Sequence, residues 1–343
     1  MEQAYKYEYD RRGPWPQPNS SHPSGAAPQV IHLPWQEVLD WTIFVGLRYI
    51  WNILTYWPIA LVSAVFKPYI KEVSDEKFGW LFDDSAYTKF LRPLRDEDRA
   101  KFPGFAFEDG ADYGVVDFTP ISSLKTLDGL FAAPTFSLFV RGADEKLKPL
   151  AISFGDFYVR PTDTNAWRLG KLFVIQAAAT TIIFAGHGLL HFPMDSINGI
   201  TTSSLPKDSV LYKLLAPHLR FTLKLDEAVQ GFGPASFSPL ENNQLFFFNA
   251  GPAPGWSLRD MVATLYSGVE NNPSYPHYKY GRVYEGVTDY RTFNQSYLAT
   301  IRKFVDRVVP QVDTTDINVI RWADYCAEEI PDFPAGKAIQ DQT

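Results

Sequence analysis

Three side chains stand at spacings that could do chemistry together: His187, His191 and Asp195. Each interval is four residues, one α-turn, so on a helix all three would share a face. Imidazole titrates near neutrality and serves as general acid, as general base or as a ligand to borderline metals. Pro193 interrupts the series, because its missing N–H and its ring disturb the ladder ahead of Asp195. A His-x-x-x-His pair binds zinc when a third ligand and an open position exist. Asp195, His218 and His277 are the candidates for that third ligand, and sequence alone brings none of them near. Three readings stay open: two core histidines satisfied by hydrogen bonds, acid–base catalysis by His187 or His191, and a metal site. No Gly-x-Ser-x-Gly elbow and no Gly-x-x-x-x-Gly-Lys-Ser/Thr loop occurs, which sets hydrolase and nucleotide chemistry aside.

The element that must position these residues is the apolar, Ala-rich run from Trp167 to Leu190. Thr162-Asp-Thr-Asn165 ahead of it supplies capping residues, and a run apolar nearly all round reads as a long central buried helix. Residues 134–160 alternate and carry enough Phe and Val for two short strands joined at Gly142-Ala-Asp144. Asn294–Val308 and Asp316–Ile330 have helical periodicity. Between them, Gly, Pro and Asn cluster over residues 229–260 about Phe246-Phe-Phe248, as in an irregular loop with an aromatic plug. The fold class expected is mainly α, with a small β element.

Three blocks carry a family resemblance. Phe131-Ala-Ala-Pro-Thr-Phe-Ser-Leu-Phe-Val140 with Lys146-Leu-Lys-Pro-Leu-Ala-Ile152, then Trp167-Arg-Leu-Gly-Lys-Leu-Phe-Val174, then Leu205-Pro206 with Tyr212-Lys-Leu-Leu-Ala-Pro-His-Leu-Arg-Phe-Thr-Leu223 occur in the order seen in lipoxygenase catalytic domains. The chain resembles that family from about residue 75 to 340, and the second block is similar to the start of the family's iron-carrying helix. The family's pattern has three histidines at five-residue intervals, the second and third of them ligands. Here the first falls on Ile182 and the second on His187. Counting back from His218 puts the third on His191, so one residue is lost between the two ligand positions. A five-residue spacing keeps one face only where the helix widens to π form, whereas four residues fit an ordinary α-turn. The helix is therefore expected to be regular where the metal would sit. Thr315–Ile330 and Asp332-Phe-Pro334 resemble the segment upstream of the helix bearing the remaining ligands, and the chain stops at Thr343, so the domain is expected to end before that helix. Two imidazoles alone make a poor iron site. The resemblance implies a pocket for a long apolar ligand, with Phe173, Ile182, Ile183, Phe184, Gly186, Leu190 and His218 as substrate-binding candidates and His187, His191 and Asp195 as catalytic ones. His218 and Arg220 match residues kept in the family without a ligand role; Arg220 is expected to anchor the following segment through a buried ion pair with Asp226 or Glu241.

Composition frames these readings. A hydrophobic fraction of 45% is ample for a core, and an aromatic share of 15% suits either a large aromatic core or an apolar pocket. The net charge of -7 argues against a nucleic-acid partner. The single Cys326 excludes an internal disulfide framework and fits an intracellular protein, cytoplasmic or at the endomembrane surface. Residues 1–30, rich in Pro, Ser and Gly, read as a disordered leader with no secretory signal. Residues 31–72 form an apolar aromatic helical segment, and 73–343 the lipoxygenase-like domain. From Trp41 to Phe66 only Arg48 is charged, long enough to span a bilayer; Arg48, Asn52 and Pro58 stand against a span, leaving a membrane-resting helix or one packed on the domain. Arg92-Pro-Leu-Arg-Asp-Glu-Asp-Arg99 reads as a solvated charge run.

Three functions follow as expectations. One is an iron-free enzyme that folds a long unsaturated substrate, such as a polyketide, terpenoid or fatty acyl chain, for cyclisation or isomerisation, without cofactor. Another is an iron-dependent oxygenase that uses His187, His191 and a further ligand or a partner chain. The third is an inactive lipid-binding homologue. A homodimer or partner chain is expected over any apolar face left open at the C-terminal end.

Overall fold

The computed structural model describes residues 8–10, 29–33, 35–66, 72–182, 187–224, 288–329, 333, 335 and 336. The chain divides into two compact units, one of residues 1–72, 191–231 and 311–343, the other of residues 73–190 and 232–310.

The second unit is built on a five-stranded antiparallel meander, β3 (Leu91–Pro93), β4 (Tyr113–Asp117), β5 (Phe136–Arg141), β6 (Leu147–Ser153) and β7 (Tyr158–Val159), each strand paired with its sequence neighbour. The β5–β6 hairpin turns at Gly142-Ala-Asp144, where the sequence places it, with Arg141 opposite Leu147 and a bulge between Leu138 and Phe139. One face packs Tyr113, Val115, Phe136, Leu138 and Ala151 with Phe102. On the other, helix α2 (Asp75–Asp83) brings Phe78 and Phe82, both fully buried, onto Phe139, with ring centroids 5.6 Å apart in each pair. Burial of such a ring stabilises by roughly 2–3 kcal/mol.

Two glycines let helices approach this sheet. A Cβ at Gly79 of α2 would lie 1.9 Å from the Leu147 carbonyl oxygen. In α3 (Thr164–Thr180), a Cβ at Gly170 would meet Val159 at 3.2 Å and Ile152 at 3.3 Å. The apolar run of α3 resolves into a buried side, with Trp167, Gly170, Lys171, Val174 and Ala178, and an open one, on which Leu169 and Leu172 stay exposed. Helix α6 (Asp289–Val308) belongs to the same unit; the amide of Tyr290 in its first turn donates to Asp84 at 2.6 Å.

The first unit is helical. It holds α1 (Trp35–Phe66), α5 (Val210–Leu219), α7 (Ile317–Glu329) and the part of α4 (His187–Ser204) beyond Leu190. Its core is Ile200, Leu205, Val319, Trp322, Ala323 and Cys326. Polar groups inside it are paired, as burial demands: Trp322 Nε1 donates to Thr201 at 2.9 Å, and Asn198 Nδ2 donates to the Leu219 carbonyl at 2.7 Å and to Thr222 at 2.9 Å. Within the stretch read as a leader, β1 (Glu8–Asp10) pairs antiparallel with β2 (Gln29–His32). The loop expected about Phe246–Phe248 lies outside the described residues.

Candidate functional site

Helix α3 ends on an irregularity. The Thr181 amide donates to both Ala177 and Ala178, its hydroxyl bonds back to the Ala177 carbonyl at 2.8 Å, and Thr181 and Ile182 take π-type hydrogen bonding. Hydroxyl back-bonding of this kind often bends helices. The sequence register expects no π widening between His187 and His191. The widening sits earlier, and α4 starts at His187 in α form and continues through Pro193 to Ser204.

Ile182 is half-buried in the π-type turn, and Phe173 is half-buried with its ring edge-on to Phe154. His218 is exposed on α5. Ile183, Phe184 and Gly186 lie outside the described residues, as do the side chains of His187, Leu190, His191 and Asp195, whose backbone lies in α4. His277 is outside as well. Among the described residues no group of three or more His, Cys, Asp or Glu side chains converges.

The first unit contains a cavity of mixed lining that sequence reasoning missed. Its volume is about 350 Å³, and its walls include Asp40, Asn198, Lys207, Tyr212, Arg220 and Phe221. Arg220 grips Asp40 with two guanidinium nitrogens, at 3.0 and 3.2 Å, and lies over the Phe221 ring at 4.4 Å. The pair with Asp40 on α1 is about half exposed; Asp226 and Glu241, the partners expected for Arg220, lie outside the described residues. No sequence signal joins residues 180 positions apart. Charges of both signs line this cavity, among them Asp40, Lys207 and Arg220.

Other charged groups fasten the second unit. The Lys171 ammonium, 4% exposed, donates to Asp75 at 2.6 Å and to the Val73 carbonyl at 2.5 Å, while Trp167 Nε1 donates to the same Asp75 oxygen at 2.8 Å. The Arg92–Arg99 run is not merely a wet surface. Asp98 is buried, takes both terminal nitrogens of Arg92 at 2.5 and 2.8 Å, and accepts the Arg95 amide at 2.8 Å. Burial pushes its pKa up, but the hydrogen bonds from Arg92 and Arg95 outweigh that and hold it below the ordinary carboxylate value. Desolvation pushes the Cys326 thiol up to about 12, which leaves it unreactive.

Sequence comparison finds no matching family model and no matching curated protein. Solved structures do match. The manganese lipoxygenase of Gaeumannomyces graminis superposes with a TM-score of 0.63 at 15% identity, over 92% of this chain and 67% of that one. A fungal lipoxygenase from Fusarium graminearum gives 0.55 at 19%, over 78% of this chain and 51% of that one. Coral 8R-lipoxygenase gives 0.54 at 16%, over 78% and 44%. The chain has a lipoxygenase-like fold.

It spans 67% of the first of these proteins and about half of the other two. At such identities the likeness is one of fold. Within it, Trp167 and Lys171, two residues of the resembling second block, act as structural fasteners on Asp75. No described helix is long and apolar enough to cross a membrane, so a bilayer span by Trp41–Phe66 is set aside.

Proposed function

We propose that this lipoxygenase-like protein binds a long, apolar, unsaturated chain and steers it through a non-oxidative cyclisation or isomerisation. A polyketide, terpenoid or fatty acyl chain fits that description. The observation that carries the proposal is the register of α4: it begins at His187 in α form, with His191 four residues on, where the resembling family's pattern requires five. A four-residue interval on an α-helix departs from the family's coordinating pattern, which supports a role for the two imidazoles in proton transfer or hydrogen bonding. His187 or His191 gives a proton to one carbon of the polyene and an imidazole takes one back from another carbon, so the product keeps the substrate's mass. The pocket folds the chain so that reacting carbons meet, and positioning of this kind can lower a barrier by about 7–11 kcal/mol in favourable cases.

A second reading is kept by the fold likeness to lipoxygenases, one of them a manganese lipoxygenase. In it His187, His191 and one further ligand, from this chain or a partner, hold a metal that supplies oxygen chemistry. A binding-only protein is the third outcome.

The test is incubation of the full chain with a panel of polyenes and polyunsaturated fatty acids, with oxygen uptake, product mass and bound metal measured together. A product of unchanged mass, formed without oxygen uptake and lost in His187→Ala or His191→Ala, supports the proposal. An oxygenated product with near-stoichiometric metal selects the second reading, and saturable binding without turnover the third.

A further inference from the structure

We propose that the cavity of the first unit is a binding site for an uncharged aromatic alcohol or phenol. Its chemistry follows from one buried side chain. Asn198 lines the cavity and is 4% exposed. Its amide nitrogen is spent on the Leu219 carbonyl and on Thr222, and the carbonyl partner fixes which end of the amide is nitrogen. Among the described residues nothing donates to the amide oxygen. That oxygen is not among the sealed, partnerless atoms of the described side chains either, so it borders open space, and the open space at Asn198 is the cavity. An acceptor held inside the fold without a donor costs stability. An O–H brought in by a ligand supplies the partner that the fold withholds.

Charge and shape narrow the ligand. Two acids and two cations stand on the wall, Glu37 and Asp40 against Lys207 and Arg220, so the lining carries no net charge. All four are engaged: Arg220 holds both oxygens of Asp40, and Glu37 and Lys207 have partners of their own. A charged ligand would leave water with no opposite charge released to meet it, whereas a neutral hydroxyl that finds a hydrogen bond loses little. Tyr212, half-buried on the same wall, has a hydroxyl with no hydrogen bond among the described residues, which favours a ligand oxygen that both donates and accepts. Phe221 and Ala216 supply apolar wall. Phe221 lies just past the end of α5 with φ at 72°, a left-handed conformation that a helix end ordinarily gives to glycine. Its ring is fixed by Trp41, edge-on at 5.6 Å, and by Phe44 at 5.0 Å. Strained backbone of this kind persists where the surroundings over-determine it, and it clusters at ligand sites. Here it sets an aromatic wall against which a flat ring packs. A volume of about 350 Å³ lies at the small end of ligand pockets and leaves room for one or two fused rings. No residue assigned to substrate chemistry takes part.

The experiment is equilibrium dialysis of the full chain against β-naphthol and against its methyl ether, which has the same rings and an oxygen but no donor. The expected result is one saturable site that takes the naphthol at least about tenfold more tightly than the ether, because the ether leaves the Asn198 oxygen unmet. Ala216→Phe, which fills the cavity from α5, should remove the site. Asn198→Leu should bring the two ligands to equal affinity, a change of selectivity that lost packing alone would not produce. Circular dichroism reports whether each variant folds, and where one does not, the two-ligand comparison on the unaltered chain decides. No saturable binding up to about 1 mM overturns the proposal, and so does equal affinity of the unaltered chain for the two ligands. Saturable binding that Ala216→Phe leaves unchanged puts the naphthol elsewhere on the chain and overturns it too.

Discussion

Helices α1 and α3 are both rich in apolar residues, and they end in different surroundings. Helix α3 lies on a sheet: Gly170 removes the side chain that would hold it away from Ile152 and Val159, and Lys171 and Trp167 tie it to Asp75 at the start of α2. Helix α1 has Gly46 with nothing within 4 Å of a Cβ there, and near its start it is held by the half-exposed Asp40–Arg220 pair and by Trp41 and Phe44 on the Phe221 ring. Beyond that anchor its large apolar side chains stay more than half exposed from Ile50 on. Apolarity moves a segment out of water but does not name its neighbour. A glycine contact and a buried polar anchor do, because backbone approach and hydrogen-bond geometry admit few alternatives.

Gly79→Val should break the packed side of this comparison hardest. Its Cβ would sit 1.9 Å from a backbone oxygen, so α2 must move off β6, at a cost above about 3 kcal/mol, read as a drop in the midpoint of urea unfolding. Asp75→Ala comes next: it leaves a buried ammonium with one carbonyl partner and should cost about 2–3 kcal/mol, whereas Lys171→Met should cost less, since it removes the charge with the partner's need for it. Lowering the pH weakens the same unit through Asp98. Its folded pKa lies below its unfolded value, so the stability it contributes is complete above the unfolded value near 4 and is lost as pH falls through the folded one. Unfolding followed between pH 6 and 2 should show this slope, diminished in Asp98→Asn. Arg220→Ala should cost no more than about 1 kcal/mol, as an exposed pair does. The smallest effect is expected on α1, where Ile53→Ser should shift stability by less than about 0.5 kcal/mol. A larger loss there would mean that α1 is packed and would erase the contrast with α3.

The hairpin at Gly142-Ala-Asp144 and the helices ending at Val308 and near Ile330 could be read from alternation and periodicity, which local side-chain patterns encode directly. The π-type turn could not: the histidine spacing told of a change of register, but the π-type hydrogen bonding lies at Thr181 and Ile182, ahead of the histidines, and no spacing marks it. Strands β3 and β7 were also missed, being too short to alternate. Asp98 was hidden in a charge run because burial of one carboxylate among many charges is decided by the chain folding back over it.

By itself, the sequence determined the mainly helical class, the β5–β6 hairpin, the place of His187, His191 and Asp195 on one segment, and the likeness to lipoxygenases in three blocks. Those follow from local pattern, which each stretch carries alone. Only the tertiary structure decided that Lys171 spends its charge on Asp75, that Arg220 reaches Asp40 and a cavity forms beside them, and that the large apolar side chains described on α1 from Ile50 on stay exposed. Such pairings join residues up to 180 positions apart, and which of many charges and apolar faces meet is fixed by packing of the whole chain.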